Sequence, residues 1–415
     1  MFLKEKALEL LKANRREGFS RNFKKYYSYT SPDDVHFHQW FWDSCFHAIV
    51  LAELDLKMAV KELQTLFSIQ TPEGFVPHII FWKWRPGDLI NRWWYLEVKE
   101  SLPYHTAEIQ PPVAGISLER IWKNTPDPSS FRDLVDRVYR YYIYLSTHRD
   151  PDRDGLVSII TPLESGMDML PIYDLAMDNP EHDPLLQKKK VREMLITYKK
   201  LNWNTEKIFD LGIFDVEDVA FNTIFVLGLR GLYCVLSALK DPRAEEIKNL
   251  AERTEKAIVE KMWEHGDGIF YGLMHKKGKE IPLPIKTISS LFPLLLQIPE
   301  KMKSSLITYI RSEKHFFSRY PLPSVAMDEK GFGPLTNTRF LWRGTTWVNT
   351  NWFIWQGLKN SKEHELADEI AKRTQELIEK HGFCEFYDPF TGDPGKAMRN
   401  FGWSTLAALM YIEKR

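Results

Sequence analysis

The stretch DVAFNTIFVLGLRGLYCVLSAL, Asp218 to Leu239, is apolar almost all round, and the charged stretch 243–263 follows it directly. A helix that is apolar on every side belongs inside a protein, and one with a single apolar stripe belongs on the outside. The two segments therefore read as an inner helix followed by an outer one. The same order recurs along the chain. Residues 40–55 (WFWDSCFHAIVLAELD) precede 57–70 (KMAVKELQTLFSIQ), whose apolar positions fall at helical spacing. Residues 109–123 precede 129–148, 285–297 precede 300–313, and 346–358 precede the charged 362–381. The apolar 402–413 has no successor, but the amphipathic 3–16 at the other end of the chain can serve as its partner. Six such hairpins in a ring make an all-α (α/α)6 barrel, a toroid closed by the two chain ends. Because the repeats are weak, a two-layer helical solenoid is the structural alternative. A contact between the first and last helices favours a single catalytic domain over 1–415, with loop insertions at about 71–108 and 149–217.

The connections are lopsided. Links from an inner to an outer helix are short. Links from an outer helix to the next inner one are long: 17–39, 71–108, 149–217, 264–284, 314–345 and 382–401. In a ring of antiparallel pairs all six lie at one end, over the N-termini of the inner helices. Long loops in a compact domain are usually functional, and these hold most of the unusual residues. The asymmetry argues for one funnel-shaped site.

Composition bounds what such a site can do. The chain has 415 residues, 44% of them hydrophobic, with 56 basic and 56 acidic side chains and a formal net charge of +0. No basic face for nucleic acid is expected. No apolar run reaches the ~18 residues of a membrane span, so none is expected. Aromatics reach 13% and include 14 Trp; such rings stack on sugars or fill a core. The three cysteines, Cys45, Cys234 and Cys384, are far apart and form no CxxC, so neither a disulfide framework nor a zinc site is expected. The N-terminus runs into an amphipathic helix rather than a signal segment, and the reading is a reduced, cytoplasmic protein. Nothing in the charge pattern indicates a homo-oligomer.

The loops carry the chemistry. Two acidic loops stand out: Glu164-Ser165-Gly166-Met167-Asp168, and Cys384-Glu385-Phe386-Tyr387-Asp388-Pro389-Phe390-Thr391-Gly392. Asp-Pro-x-Thr-Gly is turn chemistry, so Glu385 is either a catalytic base at a loop edge or a surface residue before a turn. Gly166 permits a tight backbone beside Asp168. The Met and Leu residues around Asp168 would desolvate it and raise its pKa, as a general acid requires. Asp43 falls in the first turn of an inner helix, where a carboxylate is favoured by the dipole, with Trp40 and His47 on the same face. It is either a ligand for sugar hydroxyls or a helix-end charge. The histidines His36, His38 and His47 lack a carboxylate spacing for a metal, and none is expected. His78 and a run of aromatics (Trp82, Trp84, Trp93, Trp94, Tyr95) lie in loop 71–108, which reads as a lid or a satellite core. Gln110, held extended by Pro111, points its amide into the mouth. Asp150-Pro151-Asp152-Arg153-Asp154-Gly155 resembles a calcium loop for five residues, but no Glu follows at the twelfth position, so a turn is expected. Arg343, between Trp342 and Trp347, either clamps an anionic group or pairs with a loop carboxylate.

Two carboxyls from such distant loops would converge only in a ring, and glycoside hydrolysis needs that pair: one protonated acid and one ionised base or nucleophile. No Gly-rich phosphate loop, dinucleotide fingerprint or Ser-His-Asp signature competes, and no cofactor is expected. The partner is a small carbohydrate.

Four stretches, in this order, resemble glycoside hydrolase family 63: Gln39-Trp40-x-Trp42-Asp43-Ser44, Glu164-Ser165-Gly166-Met167-Asp168, Trp342-Arg343-Gly344-x-x-Trp347, and Glu385-x-Tyr387-Asp388-Pro389-x-Thr391-Gly392. The likeness runs from about residue 20 to the C-terminus and is strongest to the short bacterial members that hydrolyse mannosylglycerate and glucosylglycerate. It implies an (α/α)6 barrel and hydrolysis with inversion. It also implies Asp168 as general acid and Glu385 as the base that activates water, ~6.5–9.5 Å apart. Trp40, Trp42, Asp43, Gln110, Trp342, Arg343 and Trp347 then line the sugar and aglycone sites, and His78, Gly166 and Tyr387 complete the candidate set. Three departures fall around the substrate. Met169-Leu170 follow the acid where the family usually has Asn-Ser, His36 stands where glycerate-active members often carry Tyr, and Thr345 replaces a Pro. The expected activity is inverting hydrolysis of a small α-linked glucoside or mannoside, foremost a 2-O-α-glycosyl-glycerate. The alternatives are an α-glucosidase on a short oligosaccharide, an epimerase on the same ring that would lean on paired histidines, and a non-catalytic carbohydrate-binding protein.

Overall fold

In a computed structural model that describes residues 2–84, 96–125, 131–334, 336 and 340–411, the six expected pairs are all present. The inner elements are Phe41–Leu54, Ala114–Lys123, Val219–Ala238, Ile288–Leu295, Val348–Asn360 and Gly402–Leu409. Their outer partners are Leu56–Phe67, Arg132–His148, Ala244–Lys261, Glu300–Arg311, His364–His381 and, from the far end of the chain, Phe2–Ala13. Each inner element packs on the next, and Gly402–Leu409 packs back on Phe41–Leu54, so the ring closes. The fold is the (α/α)6 toroid.

The partition follows the side chains. Almost every residue of Phe41–Leu54 is buried, whereas Ala244–Lys261 buries only Ile247, Ala251, Thr254, Ala257 and Ile258. Val219–Ala238 is long and apolar enough to cross a membrane, with a mean hydropathy of 1.7, yet the ring buries most of it. Its start is set by Asp218, whose carboxylate accepts from the Phe221 amide at 2.8 Å. Cys45, Cys234 and Cys384 are unpaired.

Two inner elements are shorter and tighter than expected. Ile288–Leu295 and Gly402–Leu409 are 3₁₀ helices. Pro293 sits inside the first and cannot donate a helical hydrogen bond. In the second, the Thr405 hydroxyl bonds back to the Gly402 carbonyl at 2.6 Å, which favours the narrower turn.

Neighbouring inner helices touch backbone to backbone at Gly115 and Gly228. A methyl at Gly115 would overlap the Gly228 carbonyl, and one at Gly228 the Tyr142 hydroxyl. Since neither backbone can yield, Gly115→Ala is expected to cost about 3 kcal/mol. A lower urea midpoint than that of Gly333→Ala, a site with nothing within 4 Å, checks it.

The long connections are less irregular than they read. Strands Gln39–Trp40, Ile79–Ile80, Leu102–Thr106 and Val98–Lys99 form an antiparallel sheet in that order, with Trp40 opposite Ile79. This sheet holds Trp40 and its neighbour His78 at the ring's mouth. The 149–217 connection contains the helices Pro184–Lys200 and Thr205–Leu211. The sequence hides the first because its buried stripe includes the polar Gln187 and three lysines interrupt it. The Asp150 stretch is a turn, its carboxylate accepting from the Asp154 and Gly155 amides at 3.0 and 3.1 Å. Trp93, Trp94 and Tyr95 of the aromatic run, and the ends of the segments at 129–130 and 412–413, lie outside the described residues.

Candidate active site

At the N-terminal end of the inner elements lies a cavity of about 220 Å³. Nine expected residues line it: Trp40, Trp42, Asp43, His78, Gln110, Gly166, Asp168, Trp342 and Glu385. They come from four of the six long connections and from the start of two inner helices, which is why ring closure is what assembles them.

Asp168 is delivered by a turn whose anchor is Glu164. That carboxylate is fully buried and takes both terminal nitrogens of Arg149, at 2.8 and 2.6 Å. It also accepts the Ile109 and Ile160 amides, at 3.0 and 2.8 Å. Glu164 is thus a structural residue, fully satisfied. Gly166 then adopts φ +68, with a missing Cβ that would meet the Trp42 ring at 2.7 Å. The turn can press against Trp42 only because the residue is glycine. Buried Met167, Met169 and Leu170 surround the acid, and burial pushes the Asp168 carboxyl up to about 6.

Glu385 approaches from the far side of the ring. Its amide donates to the Met398 carbonyl at 2.9 Å, and the Trp403 indole donates to the Glu385 carbonyl at 3.3 Å. Burial raises its carboxyl to about 7, against the opposing pull of His36. His36 Nδ1 lies 2.9 Å from Asp33. Burial works against the charged ring, but Asp33, Glu385 and Asp43 outweigh it and raise the His36 pKa. Asp43 is held well above the usual carboxylate range by burial.

Hydrogen-bonding capacity in the wall is left for a ligand. Among the described residues, Trp40 Nε1, Asp43 Oδ1 and both ring nitrogens of His78 have no protein partner. Buried polar atoms are normally paired, and a polyhydroxylated molecule offers the partners. Gln110 spends its amide oxygen on the helix start, accepting from the Trp42 amide at 3.0 Å.

Three expected residues do not reach the cavity. Arg343 is bound to Asp174 at 2.8 and 3.0 Å and to Gln187 at 2.6 Å. Its guanidinium thus braces the 149–217 connection, the second of the two readings its sequence allowed. Trp347 lies behind Trp342, the rings stacked at 3.6 Å and 4°, so it supports the wall without forming it. Tyr387 is buried, and its hydroxyl takes the Cys384 amide at 2.8 Å and donates to the Gly382 carbonyl at 2.6 Å; it shapes the Glu385 loop. Conversely, Glu97, Phe401 and Trp403 line the cavity unannounced. His36 was visible only as a departure, although Asp33, three residues before it, was the signal for its anchoring.

The mannosylglycerate hydrolase MGH1-like glycoside hydrolase domain matches residues 36–404. A mannosylglycerate hydrolase of Thermus thermophilus is 30% identical, covering 98% of this chain and 99% of that one. A glucosylglycerate hydrolase of Mycolicibacterium hassiacum is 27% identical over 90% of this chain and 92% of its own. Among solved structures, a family 63 mannosylglycerate hydrolase from Thermus thermophilus, crystallised with Tris and D-glycerate, superposes with a TM-score of 0.85 at 29% identity, covering 98% and 99% of the two chains.

Proposed function

The chain belongs to the mannosylglycerate hydrolase MGH1-like glycoside hydrolases, and from that premise we propose that it hydrolyses a 2-O-α-glycosyl-glycerate, mannosyl or glucosyl, with inversion. It is a glycosidase. The observation that carries the mechanism is that Asp168 and Glu385, from opposite sides of the ring, face one tryptophan-walled cavity. Asp168 protonates the glycosidic oxygen as the bond to the anomeric carbon breaks. Glu385 takes a proton from a water that attacks the opposite face of the same carbon. Asp43, Trp40 and His78 accept and donate to sugar hydroxyls.

Proton NMR of freshly mixed enzyme with mannosylglycerate, glucosylglycerate, kojibiose, nigerose, maltose and trehalose tests this. The β-anomer is expected first, from a glycosyl-glycerate. The α-anomer first would mean retention, and turnover confined to the disaccharides would overturn the glycerate assignment.

The pH profile has an expected shape. Productive enzyme has Asp168 protonated and Glu385 ionised. With the acid at about 6 and the base at about 7, that form is a minority, about a twentieth of the enzyme, and its share is nearly flat between those values. Below pH 6 Glu385 gains its proton faster than Asp168 does, and above pH 7 Asp168 is lost without compensation. A plot of kcat/KM is therefore expected to show a plateau from about pH 6 to 7, falling about tenfold per pH unit on either side.

A further inference from the structure

The mechanism leaves two carboxyls beside His78 unused. The ligand atoms of His78, Glu97 and Glu108 all lie within 4.8 Å of one another. All three side chains are buried, at 5%, 2% and 0% exposure. Both ring nitrogens of His78 and Oε2 of Glu108 lack a protein partner, while Glu108 Oε1 accepts from the Thr161 hydroxyl at 2.6 Å. Two carboxyls facing each other out of water need a positive charge between them, either a proton or a cation. Arg149 acts on Glu108, but its guanidinium is already taken bidentately by Glu164.

We propose that His78, Glu97 and Glu108 bind a divalent transition-metal ion of the zinc class in the cavity wall. Oxygen and nitrogen ligands at ~2.0–2.2 Å from a tetrahedral ion sit ~3.3–3.6 Å apart, so side-chain shifts of about an ångström close the set. An imidazole beside two carboxylates favours zinc, manganese or cobalt over calcium or magnesium. The ion's two charges cancel those of Glu97 and Glu108. The site is then as neutral as a pair of protonated carboxyls, and the proposed acid nearby keeps its environment. Three protein ligands leave a position where an oxygen of water or of a bound glycoside can meet the cation. His78, Glu97 and Glu108 are 19 and 11 residues apart, a spacing that carries no metal signature in the sequence. These three ligands sit just outside three different strands of the 71–108 connection, Ile79–Ile80, Val98–Lys99 and Leu102–Thr106.

The test is zinc counting by mass spectrometry on the full chain after incubation with zinc sulfate and desalting. About one zinc per chain is expected in the wild type and in Asp152→Asn. That second variant removes the clusters Asp150/Asp152/Asp154 and Asp152/His275/Glu280, which share Asp152, as sources. Glu108→Gln, which preserves the Thr161 bond, is expected to retain less than a tenth as much. If it does not fold, His78→Gln, whose ring has no protein hydrogen bond to lose, takes its place with the same expected loss. Wild-type retention no higher than that of these variants would overturn the proposal in favour of a shared proton. Loss of zinc in Asp152→Asn alone would overturn it in favour of the surface cluster.

Discussion

Asp168→Asn is expected to lower kcat on an α-glycosyl-glycerate by about 10³- to 10⁴-fold, the upper end of what general acid catalysis supplies. The leaving group is an ordinary alkoxide, which departs poorly without a proton. Asparagine keeps the size and polarity of the side chain but has no acidic proton. The turn that carries it is anchored independently by Glu164 and Arg149, so the ring is expected to stay folded. A control separates lost acid catalysis from lost geometry: a glycosyl fluoride, whose leaving group needs little protonation, should regain most of the rate in Asp168→Asn. An equal loss on both substrates would assign Asp168 to binding or structure.

Glu385→Gln is expected to cost a similar ~10³- to 10⁴-fold, with a different signature. Here the glycosyl fluoride should not help, since the missing step is activation of water. In Glu385→Ala, where space is opened, azide needs no base and is expected to restore turnover and give the β-glycosyl azide. An α-azide would point to a retaining pathway. Glu385 also contributes to the charge environment of His36. Removing that carboxylate should lower the His36 pKa, which NMR titration of its ring protons can follow.

The ring was legible because burial on all sides is a property of composition. The stretches around Cys45, Phe225 and Trp352 had to go inside wherever they packed, and the charged stretches after them had to stay out. The acid loop was legible for a local reason: Gly166 beside Asp168 is a backbone requirement, met by φ +68 against Trp42. The helix Pro184–Lys200 was not legible, because its buried face includes Gln187, which receives Arg343, and three lysines interrupt it.

The sequence by itself determined which segments are inner and which outer, and that six long connections, with Asp168 and Glu385 among them, share one end. Those are consequences of where apolar surface goes and of turn chemistry, both written in neighbouring residues. Only the tertiary structure decided what the long polar side chains do there. It tied Arg343 to Asp174, put Trp347 behind Trp342, and set His78, Glu97 and Glu108 within reach of one another. A charged or aromatic side chain takes whichever partner lies within a few ångströms, and in a closed ring that partner comes from residues far away along the chain.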